Sequence, residues 1–242
     1  KLTFLENYMF SESYNNSLAM FDMLHLSTLL VLIVIFLLIR WKKDFFVKPK
    51  NGLIFRLTLG FTLLGFESCF HIWVFVTGGY SYHMIPLTGF CAMTNVLTIY
   101  ALLFNKIKLF DYLIYYALTG SLFALVFVDT TYGIPHFRYF HYFIVHYGFL
   151  LTSLYYFITD RIQVNRKNYL TASSILLGYT LIVLVVDLFL EENWFYLFES
   201  PVKEISDFFG QPLYTILWIV FIILLTGFWY LLLKAIRKHH KQ

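Results

Sequence analysis

The sequence contains little charge and almost no cysteine, and each shortage excludes a class of protein. Asp, Glu, Lys and Arg make up 13% of the 242 residues, whereas they make up about 25% of a soluble domain. The hydrophobic fraction is 60%, above the roughly 45–50% of soluble domains. The only two cysteines, Cys69 and Cys91, lie in apolar runs. They are too few for the framework of a secreted disulfide-rich protein.

Neither disorder nor nucleic-acid binding fits the residues that are present. The 28 Phe and 19 Tyr residues are incompatible with a disordered chain. The net charge of +4 is small, and the basic residues lie in loops between apolar runs, so no nucleic-acid partner is predicted. The composition instead predicts an integral membrane protein whose partners are membrane lipids.

Seven apolar runs are long enough to cross a bilayer as helices, which takes about 20 residues. None of them alternates apolar and polar residues as a barrel strand does. The sequence therefore predicts an all-α, polytopic bundle of seven transmembrane helices, forming a single domain over residues 1–242. The predicted spans are Met23–Ile39, Leu53–Val76, Ile85–Phe104, Phe110–Val128, Phe137–Thr159, Tyr169–Leu190 and Leu213–Leu233.

Basic residues lie almost entirely on one side of these spans. Fourteen of the 18 Lys and Arg residues occur in the first, third and fifth loops and in the C-terminal tail. The opposite segments are acidic or neutral. Because positively charged loops stay in the cytoplasm, we predict a multi-pass plasma-membrane protein with its N-terminus outside and its C-terminus inside.

Ionisable residues within the predicted spans concentrate toward the outer side. Arg138, Tyr142 and His146 follow one another at four-residue spacing on the fifth span, so they share one helix face. Polar groups at membrane depth usually face the bundle interior and mark function. We therefore predict a cavity that opens to the outer half and is lined by substrate-binding candidates at His25, Glu67, His71, His136, Arg138, His141 and Tyr142.

The depths of these residues suggest how a lipid would bind and react. His146 lies roughly 13 Å below the start of the fifth span, whereas Arg138 is at its mouth. This arrangement suits a headgroup or carboxylate at Arg138 and acyl chains inside the bundle. A histidine is what a thiol or hydroxyl needs to become a nucleophile. The candidate catalytic residues are therefore His146 with Thr88 or Cys91, which lie near the outer end of the third span.

Two features of the sequence leave alternatives open. Glu67 and His71 form a structural pair, a proton relay or half of a metal site, but no HExxH or CxxC spacing supports a metal. We predict neither a metal ion nor a cofactor. The loop Glu191–Gln211 carries an aromatic stretch (Trp194, Phe195, Tyr196 and Phe198) that either folds back as a lid or anchors the loop at the membrane interface.

Four short motifs, in the same order and spacing, resemble those of the YwaF-like family of bacterial integral membrane proteins. They are FDMLHLSTLL at Phe21–Leu30, IPL at Ile85–Leu87, PHFRYF at Pro135–Phe140 with His146 after it, and NWFYL at Asn193–Leu197 with Pro201 after it. The resemblance covers nearly the whole chain.

This resemblance implies acyl chemistry. Similar membrane proteins include a mammalian ether-phospholipid acyltransferase, for which a Cys–His pair is proposed, and androgen-induced hydrolases that use Thr and His on fatty-acid esters. By position the histidine falls on His146, and the cysteine of the acyltransferase falls on Leu87. The implied nucleophile is then Thr88 or Cys91. Cys91 lies one position away from the place where the bacterial pattern has its cysteine.

We therefore expect a lipid acyltransferase or acyl-ester hydrolase with a histidine-dependent site in the outer half of the bundle. The alternative is a proton-coupled transporter, or a membrane protein that binds a lipid or small molecule without catalysis. In that case Glu67, His71 and Asp187 carry protons or bind the ligand. A third interpretation is a structural partner of another membrane protein. A continuous polar path across the bundle would favour transport over catalysis.

Overall fold

All the regular structure that the computed structural model describes is helical. The described residues are 8–11, 18–79, 89–128, 130 and 132–239, and they contain no strand. The helices are α1 Met23–Trp41, α2 Lys43–Val47, α3 Pro49–Val76, α4 Phe90–Leu103, α5 Phe110–Tyr116, α6 Leu122–Val126, α7 Phe137–Ile158, α8 Arg166–Leu190, α9 Lys203–Phe209 and α10 Leu213–His239. A single turn of π-helix, Ala117–Ser121, joins α5 to α6.

Five helical segments are long and apolar enough to cross a membrane: Met23–Trp41, Pro49–Val76, Ile107–Val126, Arg166–Leu190 and Leu213–Lys238. The all-helical class and a multi-pass arrangement are therefore confirmed. Helix α4, with 14 residues, is shorter than a full span, and residues 85–88 of the predicted third span lie outside the described residues. The seven-span count and the orientation stay predictions.

Helix α7 is long enough to span but is too rich in Tyr and His to be counted as apolar. Its position explains this composition, because α1, α3, α4, α5, α6 and the π-helical turn all pack against it. Of its 22 residues, 17 are buried. A helix enclosed by other helices is shielded from lipid, so its polar side chains can bond to neighbouring helices. The sequence thus places its most polar span at the centre of the bundle.

The two ends of the bundle differ in chemistry. At one end, which we call the basic end, α3 and α8 begin and α7 finishes. There, Arg161 donates to the carbonyl of Val47 at 3.1 Å, and Arg237 donates to that of Ile162 at 2.8 Å. These cations satisfy carbonyl groups left without partners near chain turns. The opposite end, where α7 begins and α3 and α8 finish, is called the cavity end below.

Close approach of α3 and α7 depends on Gly148. A Cβ atom at this position would lie 3.1 Å from Leu63 Cδ1 and would collide with Cδ2 of the same side chain. Leu63 is fully buried, so its side chain would have to shift within the packed core. By contrast, a Cβ atom at Gly65, on α3, would meet nothing within 4 Å.

We expect Gly148→Ala to lower the free energy of unfolding by about 1–3 kcal/mol, the usual cost of overpacking a core. Gly65→Ala is the matched control and is expected to raise stability by about 0.5–1 kcal/mol, since alanine favours a helix interior. Thermal unfolding of the detergent-purified variants measures both changes. Equal stability of the two variants would contradict the packing role of Gly148.

Candidate functional site

A cavity of about 530 Å³ lies inside the bundle at the cavity end, between α3, α4, α7, α8, α10 and the π-helical turn. Most of its wall is apolar, and aromatic rings such as Phe70, Phe123 and Trp218 contribute to it. Its volume is within the 300–1,000 Å³ range of small-molecule sites. Polar or ionisable side chains reach it from Glu67, His71, Cys91, Thr119, Arg138, His141, Tyr142, His146, Glu192 and Asn193.

His141 links a cation to a carboxylate on the cavity wall. Arg138 Nη1 lies 2.8 Å from His141 Nδ1, and because a guanidinium only donates, Nδ1 is the acceptor. The proton of the neutral ring is then on Nε2, which donates to Glu67 Oε2 at 3.4 Å. The His141 ring therefore connects Arg138, on the predicted face of α7, to Glu67 on α3.

The Glu67 carboxylate is the hub of this network. Besides His141, it accepts a hydrogen bond from Asn95 Nδ2 at 2.9 Å and lies 3.3 Å from His71 Nε2. Phe70 packs against two members of this network. Its ring stacks on His141 at 4.5 Å and lies 4.2 Å from the Arg138 guanidinium carbon. A buried carboxylate held by several donors is rigid and costly to disturb.

His146 lies one turn deeper than Tyr142 and has a defined tautomer. Its Nδ1 atom is 2.6 Å from the carbonyl oxygen of Tyr142. A carbonyl only accepts, so Nδ1 carries the proton and Nε2 carries the lone pair. Ser121 Oγ donates to the carbonyl of His146 at 2.6 Å and ties this part of α7 to the π-helical turn. The ring lines the cavity with one nitrogen that can accept a proton.

Cys91 lines the same cavity from the first turn of α4. A Cβ atom at Gly120, in the π-helical turn, would lie 2.7 Å from Phe90 Cε1 and 3.1 Å from Cys91 Sγ. The absence of a side chain at Gly120 therefore makes room for the start of α4. π-helical turns inside helices are frequent at functional sites. Thr88, the other predicted nucleophile, lies outside the described residues.

The aromatic loop after α8 folds back against the bundle. Asn193, Trp194, Phe195 and Tyr196 line the cavity. The Phe195 ring lies 5.3 Å from that of Phe90. Leu197 is fully buried. The loop therefore forms part of the cavity wall, which is the position that the lid alternative predicts.

Side chains at the start of α10 hold this loop by its backbone. Trp218 Nε1 donates to the carbonyl of Phe195 at 2.7 Å, and three further donors bond to the next three carbonyls in order. These are Tyr214 to Tyr196 at 2.8 Å, Thr215 to Leu197 at 2.6 Å and Gln211 to Phe198 at 2.6 Å. The donors follow a helical stripe. The backbone of Phe195 and Tyr196 has positive φ, which such bonding sustains.

Side chains of α5, α8 and α10 close the cavity toward the basic end. The deepest walls include Leu176 and Leu225. Tyr116 donates to the carbonyl of Ala172 at 2.8 Å, and Ser173 Oγ lies 3.3 Å from Thr226 Oγ1. The rings of Tyr169 and Tyr230 then stack at 4.7 Å. Among the described residues the cavity thus finishes in apolar walls and bonded hydroxyl groups.

His25, one of the predicted substrate-binding residues, is outside the cavity lining. It is fully buried. Its Nδ1 accepts from the backbone N–H of Phe21 at 2.9 Å, and its Nε2 donates to the carbonyl of Leu125 at 2.8 Å. Both ring nitrogens therefore bond to backbone, and the residue joins α1 to α6.

His136, also predicted to bind substrate, caps α7. Its Nδ1 accepts from the backbone N–H of Arg138 at 3.1 Å, its Nε2 donates to the carbonyl of Ser11 at 3.2 Å, and its ring stacks on Tyr132 at 3.9 Å. Burial lowers the pKa of His136 below its ordinary value, which favours the neutral ring that such capping requires. Asp187 is buried in α8 and is not part of the cavity lining.

Sequence reasoning missed Asn95 and Thr119. Asn95 is a fully buried amide in a predicted span. A polar residue at membrane depth usually faces the bundle interior, so the sequence contained a signal for it. Thr119 reaches the cavity from the π-helical turn, and its Oγ1 has no hydrogen-bond partner among the described residues. No sequence pattern distinguishes this hydroxyl from an ordinary helix threonine. Among the same residues, no cluster of three or more His, Cys, Asp or Glu side chains is able to hold a metal ion.

Comparison with the models of known families gives a match over most of the chain. The model of the TMEM164 family, a family of multi-pass membrane proteins, matches residues 10–233. This range includes every residue of the cavity wall. No curated protein and no solved structure matches the chain.

Proposed function

The chain belongs to the TMEM164 family of multi-pass membrane proteins, and from that premise we propose that it transfers or hydrolyses an acyl group of a membrane lipid. The observation that carries the proposal is that one largely apolar cavity is lined by a base, a thiol and a cation, at His146, Cys91 and Arg138. These are the groups that acyl transfer from an ester needs. The motif resemblance to acyl-transferring and ester-hydrolysing membrane proteins agrees with it.

His146 is the general base of the proposed reaction. The Tyr142 carbonyl fixes the proton on Nδ1, so Nε2 is the nitrogen that accepts a proton. A base held in one tautomer needs no reorganisation before it acts. The half-buried start of α4, with Cys91, borders the same cavity.

Cys91 is the proposed nucleophile. His146 Nε2 removes the proton from Sγ, and the thiolate attacks the ester carbonyl carbon of the lipid. The tetrahedral intermediate collapses as the C–O bond breaks, and the leaving alkoxide takes the proton from His146. The acyl group is then a thioester on Cys91. A lipid hydroxyl or water, deprotonated by His146, attacks this thioester and restores the thiol.

The polar network between α3 and α7 positions the lipid headgroup. Arg138 supplies a fixed positive charge at the mouth, and His141, Glu67 and His71 hold its surroundings. Tyr142 and Arg138 share the lined face of α7. His136 supports this arrangement from outside the cavity, because it accepts a hydrogen bond from the backbone N–H of Arg138. The apolar depth of the cavity suits the hydrocarbon chain.

The second candidate is a proton-coupled transporter or a binder without catalysis. The chain of contacts from Arg138 through His141 to Glu67 and His71 favours it, because such groups are able to pass protons. The bonded hydroxyl groups and stacked rings beyond Leu176 and Leu225 argue against a path across the bundle. We therefore rank acyl chemistry first.

The proposed site faces outward. The basic residues at the opposite end of the bundle, such as Arg161 and Arg237, are expected on the cytoplasmic side. With this orientation the cavity takes lipid from the outer leaflet of the plasma membrane. A cysteine-reactive reagent that does not cross membranes should label an engineered cysteine near residue 192 in intact cells. Labelling only after permeabilisation would show that this end of the bundle faces the cytoplasm and would contradict the proposed orientation.

Cys91→Ala should abolish turnover in liposomes that contain isotope-labelled phospholipid, with a loss of about 100-fold or more, because the covalent step is removed. The intact protein without an acceptor lipid should carry an acyl adduct that hydroxylamine releases. Mass spectrometry of lipids and protein measures both.

Cys69→Ala is the matched control, since Cys69 is exposed, and it should leave turnover and the adduct unchanged. If Thr88→Ala removes turnover while Cys91→Ala does not, the nucleophile is Thr88. If the wild-type protein shows neither turnover nor an acyl adduct, the proposed acyl chemistry is wrong and the binding or transport interpretation replaces it.

A further inference from the structure

A second cavity, a groove of about 450 Å³, lies between α3 and α4. Its walls are largely apolar, with Leu64 and Ile72 from α3 and Val96 and Ile99 from α4. Leu64 and Ile72 are 40% and 63% exposed, so in a membrane this groove opens sideways to the lipid. We call it the lateral groove.

The lateral groove and the bundle cavity share Glu67 and His71. The two side chains lie 3.3 Å apart and form the partition between the bundle cavity and the lateral groove. Asn95 and His141 bond to Glu67 from the two flanking helices. Among the residues that the structure describes, the ionisable groups that line the lateral groove are therefore both at its junction with the bundle cavity.

The junction lies between the mouth of the bundle cavity and the proposed base. Glu67 bonds to His141, which is five residues before His146 on α7, or roughly 8 Å nearer the mouth along the helix axis. A lipid whose headgroup is at Arg138 and whose ester reaches His146 therefore has its glycerol at the level where the lateral groove opens. A second chain attached to that glycerol needs a route out of the bundle at this level.

We propose that the substrate is a two-chain lipid, with one chain in the bundle cavity, its polar centre at Glu67 and His71, and its second chain in the lateral groove. This inference rests on the proposed function for the identity of the site as a lipid site. Two apolar spaces that meet at one polar partition match the shape of a diacyl lipid, whose chains diverge from a polar glycerol. If the bound lipid has one chain only, the lateral groove is occupied by the surrounding membrane lipid.

The test measures lipid contact rather than turnover. The full-length protein is reconstituted in liposomes with a trace of diacyl phosphatidylcholine, or of one-chain lysophosphatidylcholine, each with a photoreactive diazirine in an acyl chain. After illumination, labelled residues are mapped by mass spectrometry. We expect both probes to label the bundle cavity, and the diacyl probe alone to label Val96 and Ile99 above the level seen at Tyr100. Tyr100 is an exposed α4 residue outside the lateral groove and reports annular lipid.

Val96→Trp fills the lateral groove and should lower cavity labelling by the diacyl probe about tenfold, as steric exclusion from an apolar pocket does. Labelling by the one-chain probe should not change. Ile72→Trp, on the opposite wall, should have the same effect if Val96→Trp does not fold. Tyr100→Trp is the matched control and should change neither probe.

The inference is overturned if filling the lateral groove lowers cavity labelling by both probes equally or by neither. It is also overturned if the one-chain probe labels Val96 and Ile99 as strongly as the diacyl probe does. Because labelling requires no reaction, a protein that binds the diacyl probe in this way but lacks turnover would contradict only the proposed catalysis.

Discussion

Replacing His146 with glutamine is expected to lower lipid turnover by about 10²- to 10⁴-fold, the contribution of a general base. The glutamine amide can hydrogen bond but cannot accept a proton from a thiol, so the nucleophile stays protonated. Release or transfer of isotope-labelled fatty acid from phospholipid in liposomes measures the effect. The acyl adduct on Cys91 should disappear as well, because both groups act in the same step.

A structural role of His146 would give a different pattern. His25→Gln provides the comparison, since His25 is also buried but bonds only to backbone groups outside the cavity lining. It should cost about 1–3 kcal/mol of stability and leave turnover per folded molecule unchanged. If His146→Gln retains turnover, or loses activity only in proportion to its loss of folded protein, His146 is a bridging residue and not a base.

Replacing Glu67 with alanine is expected to lower the free energy of unfolding by about 2–6 kcal/mol, because each of the two buried donors that lose their acceptor costs about 1–3 kcal/mol. Two donors lose their common acceptor, namely His141 Nε2 and Asn95 Nδ2, and His71 Nε2 loses its contact with Glu67 at 3.3 Å. The Arg138 charge is then no longer linked to a carboxylate. Thermal unfolding of detergent-purified protein measures the loss.

Glu67→Gln keeps one oxygen acceptor and should lose less stability than Glu67→Ala. Glu199→Ala is the surface control, because Glu199 is exposed and its contact with Lys203, at 3.6 Å, is solvated. It should change stability by about 0.5 kcal/mol or less. A Glu67→Ala variant as stable as the Glu199→Ala variant would contradict the hub role of Glu67.

Local rules within one helix predicted much of the cavity wall. Four-residue spacing gave the shared face of Arg138, Tyr142 and His146, all of which line the cavity, and gave the contact between Glu67 and His71. Ionisable residues concentrate toward one end of the predicted spans, and this pattern predicted the end of the bundle at which the cavity lies. These features follow from helix geometry and from the cost of placing polar groups in lipid, so residue positions alone are sufficient.

The sequence by itself determined that the chain is a membrane bundle and which face of α7 is polar. Only the tertiary structure decided that His141, rather than His25 or His136, bonds to Glu67, that Asn95 completes this contact, and that the loop at Phe195 closes the cavity. Helical periodicity relates residues three or four positions apart. Contacts between helices depend on which surfaces pack and at what level, for example where Gly148 admits Leu63. A buried imidazole therefore becomes a cap, a bridge or a base according to the partners that packing brings to its two nitrogens.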